Sequence, residues 1–117
     1  MAVTVADMAR TWQRRMQARR ARAEERAARL LALLPQARDL LIARHGARTV
    51  RLFGSLAVGD FTEHSDVDLA VEGLDGSRYF AALSELMTLF GGPVDLVPME
   101  RAAASLRDRI AVEGKPL

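Results

Sequence analysis

Apolar side chains in the first third of the chain recur every three or four residues: Val5, Met8, Trp12 and Met16, then Ala23, Ala27, Leu30 and Leu34. That spacing marks one face of a helix. Neither Gly nor Pro interrupts residues 5–34, and good helix formers dominate, so a single long helix is predicted over residues 4–33. Pro35 suits the first turn of a second helix reaching about His45, where Gly46 provides a stop. The period then changes. Thr49–Phe53 is β-branched and aromatic and reads as a strand ending at Gly54, followed by a loop or short helix over residues 54–65. Asp66–Val71 alternates polar and apolar, a second strand. After turn residues 72–76, Ser77 is the expected cap of a helix over 78–90, with Phe80, Leu83, Leu86, Met87 and Phe90 facing inward. Gly91-Gly92-Pro93 ends it, Val94–Val97 is a third strand stopped by Pro98, and a last helix is expected from about Glu100 to Glu113. Strands and helices in this order give an α/β (α+β) protein. It divides into a helical arm, residues 1–34, and a compact domain, residues 35–117.

Composition narrows the picture. With 117 residues, half of them apolar and 27% charged, the chain has the balance of one globular domain. No apolar run approaches the ~18 residues of a membrane span, so no membrane role and a cytoplasmic location are expected. Cysteine is absent and only His45 and His64 are present, which excludes disulfides, thiolate catalysis and Cys- or His-rich metal sites. The charge is uneven: residues 1–29 carry eight Arg against Asp7, Glu24 and Glu25, a net +5, while the remainder carries −3. An arm so basic suits an acidic partner surface or RNA, but no aromatics interleave with its Arg14–Arg26 run, which weakens a platform for stacked bases.

The chemistry sits in the strands. Asp is depleted there, yet Asp66 and Asp68 are two apart and project to one face, opposite Val67 and Leu69. Converging carboxylates repel unless a cation lies between them, and magnesium, which shares its shell with water and phosphate oxygens, is the natural candidate. Asp95 on the next strand can supply a third carboxylate. Together they form the inventory of a two-metal phosphoryl-transfer site, its ions roughly 4 Å apart. Upstream, Gly54-Ser55 directly follows a strand; Gly admits close approach of an anion, and the start of a helical turn offers N–H donors to a phosphate.

Gly54-Ser55, ten residues, then Asp66-Val67-Asp68 resembles the signature of the minimal nucleotidyltransferases of the DNA polymerase β superfamily. The wider match runs through Leu52-Phe53-Gly54-Ser55-Leu56-Ala57-Val58-Gly59 and Ser65-Asp66-Val67-Asp68-Leu69, and the ending Glu113-Gly114-Lys115-Pro116-Leu117 is also similar. The similarity covers about residues 30–117. It implies a polymerase-β-like nucleotidyltransferase fold, a small mixed sheet flanked by helices. Nucleotide would bind at Gly54 and Ser55, and two Mg2+ ions at Asp66 and Asp68. Asp95 would help ligate one ion and receive the acceptor's proton. In such families some members are antitoxins paired with a HEPN-type RNase toxin, transferring AMP from ATP to a toxin tyrosine, while others bind their partner without modifying it and larger relatives adenylylate small molecules. The sequence departs from the pattern at Leu56 and Val58, apolar where the family often has a basic residue for the triphosphate. Of the two histidines, His45 reads as a helix C-terminal residue and His64 as an exposed loop residue.

Overall fold

The computed structural model describes residues 2–117. Helix α1 spans Val5–Ala32, nearly the whole predicted stretch, and opens with a capping box in which Thr4 and Asp7 exchange side-chain and backbone hydrogen bonds, each 3.1 Å. After a one-residue break, α2 (Leu34–Asp39) takes Pro35 in its first turn and widens into a π-helical turn over Leu40–Arg44. Then follow β1 (Thr49–Phe53), α3 (Ser55–Val58), β2 (Val67–Glu72), α4 (Tyr79–Phe90), β3 (Val94–Pro98), α5 (Ala104–Glu113) and β4 (Lys115–Pro116). Among the described residues no helix is long and apolar enough to cross a membrane.

The four strands form one mixed sheet in the order β3-β2-β1-β4. β2 is antiparallel to β1 and parallel to β3, and β4 adds antiparallel to the far side of β1. Alternation along the strands divides the buried side chains between two faces. Val50, Leu52, Val67, Leu69, Val71 and Leu96 pack under α2, α4 and the end of α1 in the larger cluster. Phe53 and Ala70 face the other way, against Ile110 of α5. Leu30 is 2% exposed and Ala23 is buried as well, so the last third of α1 shares this core.

Three expectations are corrected by the packing. In α4 the inward row is Ala82, Leu86 and Phe90, with Tyr79, Leu83 and Leu89 partly buried; Phe80 and Met87 lie outside, exposed. Its lead-in turn is capped by Asp75, whose carboxylate accepts the Ser77 N–H at 2.9 Å, and not by Ser77. The last helix begins at Ala104 after a separate 3-10 turn over Met99–Arg101, and the tail beyond it is a fourth strand. His45 is indeed the residue after a helical segment, but it is buried and its Nε2 lies 2.6 Å from Glu85 Oε2.

Candidate active site

Because β1 runs antiparallel to β2, and β2 parallel to β3, the end of β1 and the starts of β2 and β3 meet at one edge of the sheet. Pairing registers Phe53 against Asp68 and Asp68 against Asp95. Asp68 and Asp95 therefore stand side by side on the face that also carries Phe53 and Ala70, while their neighbours Val67, Leu69 and Leu96 anchor the opposite face in the core. Asp66 lies one residue before β2, exposed, at the mouth of the same edge.

Gly54 turns the chain directly over Asp68. Its backbone has φ +73° and ψ −159°, a conformation open essentially to glycine alone. A Cβ placed there would lie 2.1 Å from Asp68 Oδ2 and 2.8 Å from its Cγ. Ser55 then opens the single turn of α3, whose Ala57 and Val58 N–H groups donate to the Gly54 carbonyl at 3.0 and 3.1 Å. The earlier N–H groups of Ser55 and Leu56 are those a helix start leaves free for an outside acceptor. Of the two apolar departures, Leu56 is buried in the core and Val58 is half-exposed at the end of the turn.

The electrostatics match a site that awaits positive charge. The Asp68 carboxyl is pushed up to about 6, first by burial, then by the charges of Asp95 and Asp66, with Arg109 of α5 acting the other way. Three carboxylates thus share one field, yet among the described residues no group of three acidic or histidine side chains closes a metal shell by itself. Magnesium does not require three protein ligands at once: it binds through one or two carboxylates and completes its octahedron with waters and phosphate oxygens. The donors present fit such an ion.

Two features have no counterpart in the local pattern. Arg26 of α1 reaches the loop before β2, donating from Nη1 to the Ser65 carbonyl at 2.8 Å and to that of Glu63 at 3.4 Å, with its guanidinium 4.9 Å from the centre of the Phe61 ring. Arg22 adds a 3.0 Å bond from Nε to the Glu63 carboxylate, which it holds below the usual range. The residue preceding Asp66 is thereby tied to the arm. Arg109 is the second: Ile110 packs α5 onto Phe53 and Ala70, which brings the neighbouring guanidinium within electrostatic reach of Asp68. The predicted His64 is exposed in the same loop. A cavity of about 700 Å³ lies at the opposite end of the strands beside Tyr79 and Phe80 and contains none of these groups.

The family model described as "Polymerase beta, Nucleotidyltransferase" matches residues 36–117. A solved structure described as a minimal nucleotidyltransferase is 36% identical, with a TM-score of 0.64 over 75% of this chain and 95% of that one. A mutant toxin–antitoxin complex, MntA-HpeT, contains a chain 31% identical, TM-score 0.59, covering 68% of this chain and 66% of that one. A toxin–antitoxin structure with AMP-PNP contains another, 27% identical, TM-score 0.58, covering 65% of each. No curated protein matches the sequence.

Proposed function

This chain belongs to the polymerase β nucleotidyltransferase family, and from that premise we propose that it transfers AMP from ATP to a HEPN-type toxin, acting in the cytoplasm as the antitoxin of the pair. The observation that carries the reading is the closeness of Gly54 to Asp68: the turn suited to phosphate and the carboxylate suited to metal lie against each other, with room for no side chain between them. The similarity to structures described as toxin–antitoxin complexes, one of them with AMP-PNP, supports the partner and the nucleotide.

In this mechanism the free N–H groups at Ser55 and Leu56, with the Ser55 hydroxyl, hold the triphosphate at the end of β1. Asp66, Asp68 and Asp95 would hold two Mg2+ ions, whose chemistry is to neutralise the phosphates and the developing charge on the attacking and leaving oxygens. A hydroxyl oxygen of the partner attacks the α-phosphorus in line, and the bond from that phosphorus to the bridging oxygen of the β-phosphate breaks. Pyrophosphate leaves with the electron pair. Asp95, exposed at the mouth, takes the proton from the attacking hydroxyl. Arg109 of α5, paired with Glu113 at 3.3 Å, adds a positive charge within electrostatic reach of Asp68.

A second reading is an antitoxin that neutralises by binding alone. The absence of a cation at Leu56 and Val58 favours it, since Leu56 is committed to the core and no side-chain change of rotamer brings charge there. One experiment separates the two: the double variant Asp66→Ala, Asp68→Ala is tested for rescue of cells expressing the toxin. Loss of rescue with the complex still intact is the expected result. Full rescue by the variant selects the binding-only reading.

A further inference from the structure

The apolar row of α1 is used unequally along its length. From Ala23 through Ala27 to Leu30 the body covers it; from Val5 through Met8 and Trp12 to Met16 the same row continues uncovered, with Val5 83% exposed and Met8 and Trp12 each 62%. The overhang from Val5 to Arg22 is roughly 27 Å long at helical rise. At its body end the row does not run out into open water. Met16, Arg20 and Ala23 face Phe61 and His64 across a groove of about 520 Å³, and the loop that forms the far wall continues directly into Asp66. This half of the helix also lies outside residues 36–117, the part shared with the family.

We propose that the overhang of α1 is the capture surface for the acceptor protein. An apolar groove on that protein, acidic along its rims, closes over Met8, Trp12 and Met16 and is thereby set against the 61–64 loop, beside the carboxylates. Calling the captured protein the acceptor rests on the nucleotidyl-transfer reading above. Two arguments select this occupant. The first is continuity: the uncovered row is the extension of an interface already packed on the body, so its cover sits next to the loop that leads to Asp66. The second is charge. Residues 4–22 carry six Arg against Asp7 alone, so a matching surface is acidic. A second copy pairing arm to arm would oppose six arginines with six more. Nucleic acid would answer the arginines and leave Trp12 and the methionines without a use. A helix laid in a protein groove uses both features.

Trp12 is the chain's one tryptophan, so 5-hydroxytryptophan incorporated there, excited to the red of the partner's own tryptophans, reports this surface alone. The full chain is purified from its native cells, the protein bound in stoichiometric amount is identified by mass spectrometry, and that protein is titrated against the recombinant full chain without nucleotide. The expected result is a blue shift of Trp12 emission, protection from acrylamide, and an affinity that falls with salt. Met8→Ala with Trp12→Ala should weaken binding about thirtyfold or more, as loss of a buried aromatic anchor does, with no change in melting temperature. Arg15→Glu with Arg19→Glu should weaken it as well. The transfer-dead Asp66→Ala, Asp68→Ala variant should bind as the wild type does, so failure of the catalytic reading leaves this binding result intact. The inference is overturned if no protein is bound in stoichiometric amount, if Trp12 stays open to acrylamide in the complex, or if the arm variants bind normally. It is equally overturned if a single-stranded RNA, a phosphatidylglycerol vesicle or self-association, and not the protein, buries Trp12.

Discussion

Replacing Gly54 with alanine tests the closeness on which the site depends. The new Cβ would meet Asp68 Oδ2 at 2.1 Å, far inside contact distance, and would be forced onto a backbone at φ +73°, ψ −159°. The backbone term costs about 1–3 kcal/mol, and for a chain of this size each kcal/mol lowers the melting temperature by about 4–5 °C. Gly54→Ala should therefore melt about 5–15 °C lower. Its second effect is local: the clash is relieved when the short Asp68 side chain swings away, which removes it from the position that faces Asp95. Misplacing a metal ligand in this way should weaken Mn2+ binding, measured by calorimetry, by about 10–100-fold. Gly59→Ala is the control. Gly59 has φ +88° but nothing within 4 Å of a new Cβ, so it should lose about 1–2 kcal/mol of stability and retain metal binding. If Gly54→Ala bound Mn2+ as tightly as the wild type, the turn and the carboxylate would not form one site, and the reasoning would be wrong. An unchanged melting temperature would contradict the backbone conformation itself.

Metal affinity should rise as pH increases through about 6 and then level off, because Asp68 must lose its proton to ligate; isothermal titration with Mn2+ between pH 5 and pH 8 measures this, and a flat profile would refute it. The same carboxyl, raised in the folded state above its ordinary value of 3.8, makes the metal-free protein lose stability as pH climbs from about 4 to about 6, since the unfolded chain gives up that proton first. Denaturant melts without metal across that window should show the fall, and Asp68→Asn should reduce it. Arg26→Gln should loosen the loop that carries Asp66: faster hydrogen exchange at amides 62–66 and a higher metal requirement for transfer, with Arg26→Lys restoring neither the planar stacking on Phe61 nor both carbonyl contacts.

The elements and motifs that were legible in the sequence are those fixed by local spacing. The period-two alternation of Asp66–Val71 gives β2 to within a residue, and Gly54-Ser55 followed by Asp66 and Asp68 marks the edge where the site forms. What escaped depends on what packs against what. α4 is apolar around much of its circumference; the sheet takes the row of Ala82, Leu86 and Phe90, where the small Ala82 lets the helix approach closely, and leaves Phe80 and Met87 outside. β4 is two residues, Lys115 and Pro116, too short to show any period, and exists because the tail meets the free edge of β1. Arg26 and Arg109 carry no signal among sixteen arginines, since each matters through a contact made far along the chain.

The central claim is that an AMP group moves from ATP to the bound partner. The most direct measurement is the intact mass of that partner, copurified with this chain and incubated with ATP and Mg2+, compared with the same complex carrying Asp66→Ala and Asp68→Ala. The partner is expected to gain the mass of one or more AMP groups in the first sample and none in the second. A partner of unchanged mass in an intact, ATP-treated wild-type complex would contradict it.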